Sequence, residues 1–206
     1  PFESAEIGPS WFDNGHLHGS GPVGKLLHDV WTASPWLPTW SVGVGTFDGT
    51  LKAPYDGVPG VDFLFPLAML THVTFWTDLR TLTPSQRTET AWWIAWYRSN
   101  RDSLGPAVYE LTDRDPLDEK SWAAWQPWNG TGGYVFAFRP AGAPATATFA
   151  LQGLDPAAHY KLIDVRTGAN AGVHSGAELA SGLPLELAPA SAAVLSVQPV
   201  GSTAGH

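Results

Sequence analysis

Apolar residues recur at helical spacing over residues 22–34, where Val23, Leu26, Leu27, Val30 and Trp31 share one side. Residues 37–44 read as a strand, and a long Gly- and Pro-bearing stretch from Gly45 to Gly60 follows. Residues 61–70 form a short apolar run that predicts a helix despite Pro66, and residues 72–79 are β-branched and aromatic, as in a buried strand. The clearest helix covers 83–104. Thr83 with Gln86 makes a capping box, Pro84 takes the first helical position, and Gly105-Pro106 ends the run. Trp93, Trp96, Tyr97 and Leu104 lie on one side of that helix, and Arg87, Glu89, Arg98 and Asp102 can reach solvent. The order helix, strand, loop, helix, strand, helix is that of βα units on a parallel sheet.

From Gly133 the period changes to two. Tyr134, Phe136 and Phe138 alternate with Val135, Ala137 and Arg139, the pattern of a half-buried strand. Short β-type runs follow at 146–151, 160–165, 183–187 and 192–197, with turn chemistry at 140–144, 153–156, 166–172 and 181–182. Strands at this spacing with no helix predict an antiparallel sandwich. The expected fold class is therefore α/β plus all-β, with (β/α) units over 1–105, a β-sandwich over 106–200 and a disordered tail over 201–206.

Composition narrows the function. With 11 Lys and Arg against 19 Asp and Glu, the 206-residue chain carries a formal charge of −8, so nucleic acid and anionic membrane are poor partners. There is no Cys, hence no disulfide framework, thiolate metal cage or Cys nucleophile, and the compartment stays open. No apolar run is long enough to span a bilayer. The chain starts at Pro1 with neither an initiator Met nor a signal-like segment, and is expected to be a piece of a longer polypeptide. Eight of the eleven Trp lie between Trp11 and Trp96, and the other three are Trp122, Trp125 and Trp128, expected to join the two parts.

Two stretches carry a family resemblance. One is Phe75-Trp76-Thr77-Asp78-Leu79 with Leu82-Thr83, Gln86-Arg87, Ile94, Tyr97-Arg98 and Arg101; the other is Leu151-Gln152-Gly153-Leu154-Asp155-Pro156 with Tyr160 and Ser175-Gly176-Ala177-Glu178-Leu179. Together they resemble the carboxyl-terminal part of retaining glycoside hydrolases of the α-galactosidase clan, family 36 in particular. The resemblance implies the last units of a (β/α)₈ barrel followed by a β-sandwich, a carbohydrate substrate and no cofactor; the alternative reading is a non-catalytic carbohydrate-binding module, with the Trp residues as platforms, or a structural accessory domain. That family keeps its nucleophilic Asp in a Lys-x-Asp motif, which is absent here, so the nucleophile is expected upstream of Pro1. Its acid/base lies in a Trp-Thr-Ser-Asp-Asn segment, to which Trp11-Phe12-Asp13-Asn14 is similar but one residue shorter.

In parallel α/β folds the segments after the carboxyl ends of strands build the site. Retaining glycosidases need two carboxyl groups about 5–5.5 Å apart, one to attack and one to protonate the leaving oxygen. The candidates are Asp13 and Asp56 as catalytic carboxylates, with Trp11, Trp40, Trp76 and Asp78 as substrate contacts. Each has a plainer alternative: a helix-capping or turn Asp for Asp13, a Tyr-Asp-Gly turn for Asp56, a rim hydrogen bond for Asp78, and core packing for the Trp residues. Trp92, Trp93 and Trp96 read as helix packing. His16-x-His18 with His28 is a weak metal pattern lacking a third ligand at fixed spacing.

Overall fold

The computed structural model describes residues 10–11, 23–39, 42–46, 60–75, 80, 82–105 and 107–201. The amino-terminal part runs β1 (Ser10–Trp11), α1 (Val23–Ala33), β2 (Val42–Thr46), α2 (Val61–Leu70), β3 (His72–Phe75) and α3 (Pro84–Asn100), with a 3-10 turn at Arg101–Ser103. Strands β1, β2 and β3 are neighbours in that order and all parallel, with Trp11 opposite Gly43 and Gly43 opposite His72. The expected alternation is thus present. The strand expected over 37–44 begins only at Val42. Ahead of it the chain leaves α1 in a tight turn, because the Trp36 and Leu37 amides both donate to the Ala33 carbonyl, burying Leu37 and leaving Trp36 70% exposed.

Local chemistry explains the helices. Thr83 accepts from the Gln86 amide at 3.2 Å while the Gln86 side chain accepts from the Thr83 amide at 2.9 Å, the reciprocal box expected from sequence. Helix α3 stops near Gly105, whose φ of +80° favours glycine and whose position leaves no room for a Cβ, the Trp128 carbonyl standing where one would sit. Helix α2 is apolar all round. Every residue in it except Asp62 is buried, which is the environment a helix with no polar face requires. Pro66 is accommodated inside it.

The carboxyl-terminal part contains β4 (Ala107–Glu110), β5 (Ala123–Trp128), β6 (Gly133–Arg139), β7 (Thr146–Phe149), β8 (His159–Asp164), β9 (Asn170–Ser175), α4 (Gly176–Ser181), β10 (Leu183–Glu186) and β11 (Ser191–Pro199). Six strands form an antiparallel sheet in the order β4-β5-β6-β11-β8-β9, and β7 pairs with β10 in a separate two-stranded sheet. Three expectations are corrected here. Residues 175–182 hold a helix, α4, because Ser175 and Glu178 form a second capping box. The stretch 166–172, read as a turn, already enters β9 at Asn170. Strand β6 is buried along its whole length rather than half-buried.

That last correction locates the cores. Tyr134, Phe136 and Phe138 of β6, with Trp125 of β5, face a cluster built from α1, α2 and Trp93. Val135, Ala137, Trp122 and Trp128 face a second cluster with Phe149, Tyr160, Leu162, Leu179 and Leu183. The central strands are sandwiched between two apolar layers, so both sides of the period-two alternation are aromatic or aliphatic. The three Trp therefore do not act together as a joint: Trp125 packs toward the helices, whereas Trp122 and Trp128 pack on the opposite face.

Candidate active site

A chain that leaves one parallel strand at its carboxyl end and enters the next at its amino end must return through its helix. The carboxyl ends of β1, β2 and β3 and the amino ends of α1, α2 and α3 therefore share one edge of the sheet. In the sequence, residues 12–22 lie between β1 and α1, 47–60 between β2 and α2, and 76–83 between β3 and α3. Asp13 comes two residues after Trp11, Asp56 lies between β2 and α2, and Trp76 and Asp78 come directly after β3. Asp13, Asp56, Trp76 and Asp78 themselves, and Trp40 ahead of β2, lie outside the described residues, as do His16 and His18. Trp11 ends β1. In chain order Asp13, Asp56 and Asp78 each follow a strand of this sheet, and Trp40 precedes β2.

What the described residues add is the bracing of α1 and α2 by the carboxyl-terminal part, which sequence reasoning missed. At α1, the Gly24 amide donates to Glu119 Oε1 at 3.0 Å, His28 Nδ1 lies 2.8 Å from Asp115 Oδ1, and Trp31 Nε1 donates to the Thr112 carbonyl at 3.2 Å. His28 is accordingly a partner of Asp115. Among the described residues no group of three or more His, Cys, Asp or Glu could hold a metal.

At α2, Asp62 sits in the first turn, where a carboxylate favours the positive end of the helix dipole. Its Oδ1 accepts from Trp93 Nε1 at 2.7 Å and from Arg166 Nε at 2.9 Å, and the Arg166 guanidinium lies 4.7 Å from the centre of the Trp92 ring. Arg166 comes from the turn between β8 and β9, so the antiparallel part reaches across to hold the start of α2. The only sequence signal was Asp62 in a helical first turn; nothing local to Arg166 revealed its partner.

Among the described residues, the perturbed titrations lie away from this edge. Burial raises the Glu110 carboxyl pKa above the ordinary value, opposed by the hydrogen bond it accepts from Ser34 Oγ at 2.7 Å. Burial also raises Tyr134 and Tyr97, with Arg101 lowering Tyr97 in part. Bonds from the Ser175 amide and hydroxyl lower Glu178.

Parallel strand–helix units followed by a large antiparallel sheet make up a fold also found within family GH36 α-galactosidases. The chain is similar to a variant of the α-galactosidase AgaA from Geobacillus stearothermophilus solved with raffinose, with a TM-score of 0.69 and 21% identity over 86% of this chain and 24% of that one. AgaB from the same organism gives a TM-score of 0.66 at 21% identity, and the galactosidase domain of the α-galactosidase–sucrose kinase AgaSK gives 0.66 at 18%, each over 86% of this chain and 24% of the other. The likeness is one of fold, and the chain spans about a quarter of the length of these proteins. No family model matches the sequence, and no curated protein does.

Proposed function

We propose that this chain is the carboxyl-terminal quarter of a retaining glycoside hydrolase acting on α-galactosides, comprising the last units of a (β/α)₈ barrel and the sandwich that closes the protein. The observation that carries the reading is the shared carboxyl edge of β1, β2 and β3, with Asp13, Asp56 and Asp78 following those strands in the sequence. The fold likeness to proteins of which one is described in complex with raffinose supports it. In this reading Asp13 is the general acid/base, and the nucleophilic carboxylate belongs to an earlier strand outside this chain. Asp13 protonates the departing glycosidic oxygen while the nucleophile attacks the anomeric carbon, then deprotonates the water that hydrolyses the glycosyl intermediate.

The test is Asp13→Asn in the full-length protein. Raffinose, whose leaving group is poor, should lose about 10²–10⁴-fold in rate, while an aryl α-galactoside with an activated leaving group suffers far less in its glycosylation step and azide restores turnover. Equal loss on both substrates without azide rescue would point to a binding or folding role. If Asp56→Asn shows the selective pattern instead, the edge is right and the acid is Asp56. Binding of 1-deoxygalactonojirimycin, a small galactose-like inhibitor, checks independently that the site is assembled.

A further inference from the structure

The antiparallel part carries a groove that the reaction does not use. Leu111, Thr112, Asp113 and Arg114 form one wall, Lys120, Ser121 and Trp122 continue it, and Thr146 to Phe149 of β7 form the other, around about 240 Å³. None of these residues belongs to β1–β3 or α1–α3. The buried rings of Trp122 and Phe149, 5.7 Å apart, form the base.

Strand β7 presents an open main-chain edge to this groove. It pairs only with β10 among the described residues, with Phe149 opposite Leu183, Thr148 opposite Pro184 and Ala147 opposite Leu185. Leu187 donates its amide to the Ala145 carbonyl at 3.2 Å, and Pro184 has no N–H to give Thr148. In an antiparallel pair bonded residues alternate, so positions 145, 147 and 149 bond to the β10 side, and the N–H and C=O of Thr146 and Thr148 turn outward.

We propose that this groove is a second, non-catalytic saccharide site. A neutral polyhydroxyl ligand matches it because donors and acceptors are mixed at close quarters. Arg114, Lys120 and two outward amides donate; Asp113 and two outward carbonyls accept; the Ser121, Thr146 and Thr148 hydroxyls do either. An anion would meet Asp113. An added peptide strand would find only two outward residues and a charged facing wall instead of pockets for alternating side chains. The choice of saccharide rests on the proposed glycosidase reading, and the experiment separates the two.

Full-length protein is first saturated with 1-deoxygalactonojirimycin to fill the catalytic edge and is then titrated with raffinose by calorimetry. The expected result is a further raffinose site, weakened about tenfold or more by Asp113→Ala or Arg114→Ala, as loss of a charge-assisted hydrogen bond implies, with the inhibitor titration unchanged. Thr148→Pro, which removes an outward N–H, should act the same way; if it fails to fold, the two exposed side-chain variants decide. No raffinose binding to inhibitor-saturated protein, or binding that these variants leave intact, overturns the inference. So does protection of the Thr146 and Thr148 amides from hydrogen exchange by an extended hexapeptide but not by raffinose. Failure of the inhibitor to bind while raffinose binding remains sensitive to Asp113 and Arg114 would overturn the catalytic reading and leave this one standing.

Discussion

Asp62 and Arg166 are 104 positions apart and meet at 2.9 Å, with Trp92 and Trp93 completing the contact. Because the pair is partly exposed, its Coulomb energy is screened, and Arg166→Ala should cost only about 1–2 kcal/mol, counting the lost cation–π contact, by urea unfolding. Asp62→Ala should cost more, because it also strips the buried Trp93 N–H of its acceptor. Glu110 offers a pH-resolved test. Its folded pKa is raised, so ionisation opposes folding, and stability falls as pH rises from the unfolded pKa through the folded one. Glu110→Gln retains an acceptor for Ser34 and removes the charge. Its melting temperature should exceed that of the parent at neutral pH, and the difference should vanish once both states hold a protonated Glu110 at low pH. A difference that persists in acid would assign the effect to packing.

Among the elements, α3 and α1 make contrasting predictions. The α3 cap is local, and Thr83→Ala should remove about 1 kcal/mol, readable as earlier thermal unfolding. At the start of α1 the constraint is tertiary. A Cβ on Gly24 would lie 2.6 Å from the Pro116 carbonyl oxygen and 2.7 Å from that of Leu117, so Gly24→Ala should cost about 1–3 kcal/mol although alanine is the better helix former. A stabilised Gly24→Ala protein would show that the 116–119 segment does not brace the helix. The capping boxes of α3 and α4 differ in legibility for a related reason. Both motifs are in the sequence, but α4 has six residues and lies between strands, so the period-two pattern around it hid a helix that its Ser175 and Glu178 announce.

For the whole molecule, the six-stranded sheet is the shared wall between two cores. Trp125, fully buried on its helix-facing side, touches Phe138 with ring centres 5.8 Å apart and donates its N–H to Ser34 Oγ. Trp125→Ala should cost about 3–5 kcal/mol, and because the wall is common, fluorescence and circular dichroism should report one coincident transition rather than two. On the proposed function, residues 1–206 expressed alone should not hydrolyse aryl α-galactosides, because one of the two carboxylates is supplied elsewhere. Appreciable turnover by this chain alone would overturn that division of the site.

Periodicity and caps by themselves determined where α1, α2 and α3 lie and that parallel units precede an antiparallel region. These follow from local steric and hydrogen-bonding rules that act within a few residues. The same alternation marked β6 as a strand but not that both of its faces are covered, since burial depends on what the rest of the chain brings against it. Only the tertiary structure decided that Arg166 reaches Asp62, that Glu119 holds the Gly24 amide, that His28 pairs with Asp115 and that β7 leaves an edge open beside Thr112. Each of these contacts joins residues whose meeting is fixed by how the sheet and helices stack. A side chain's identity states what it can bond to, and the packing of distant elements selects the partner.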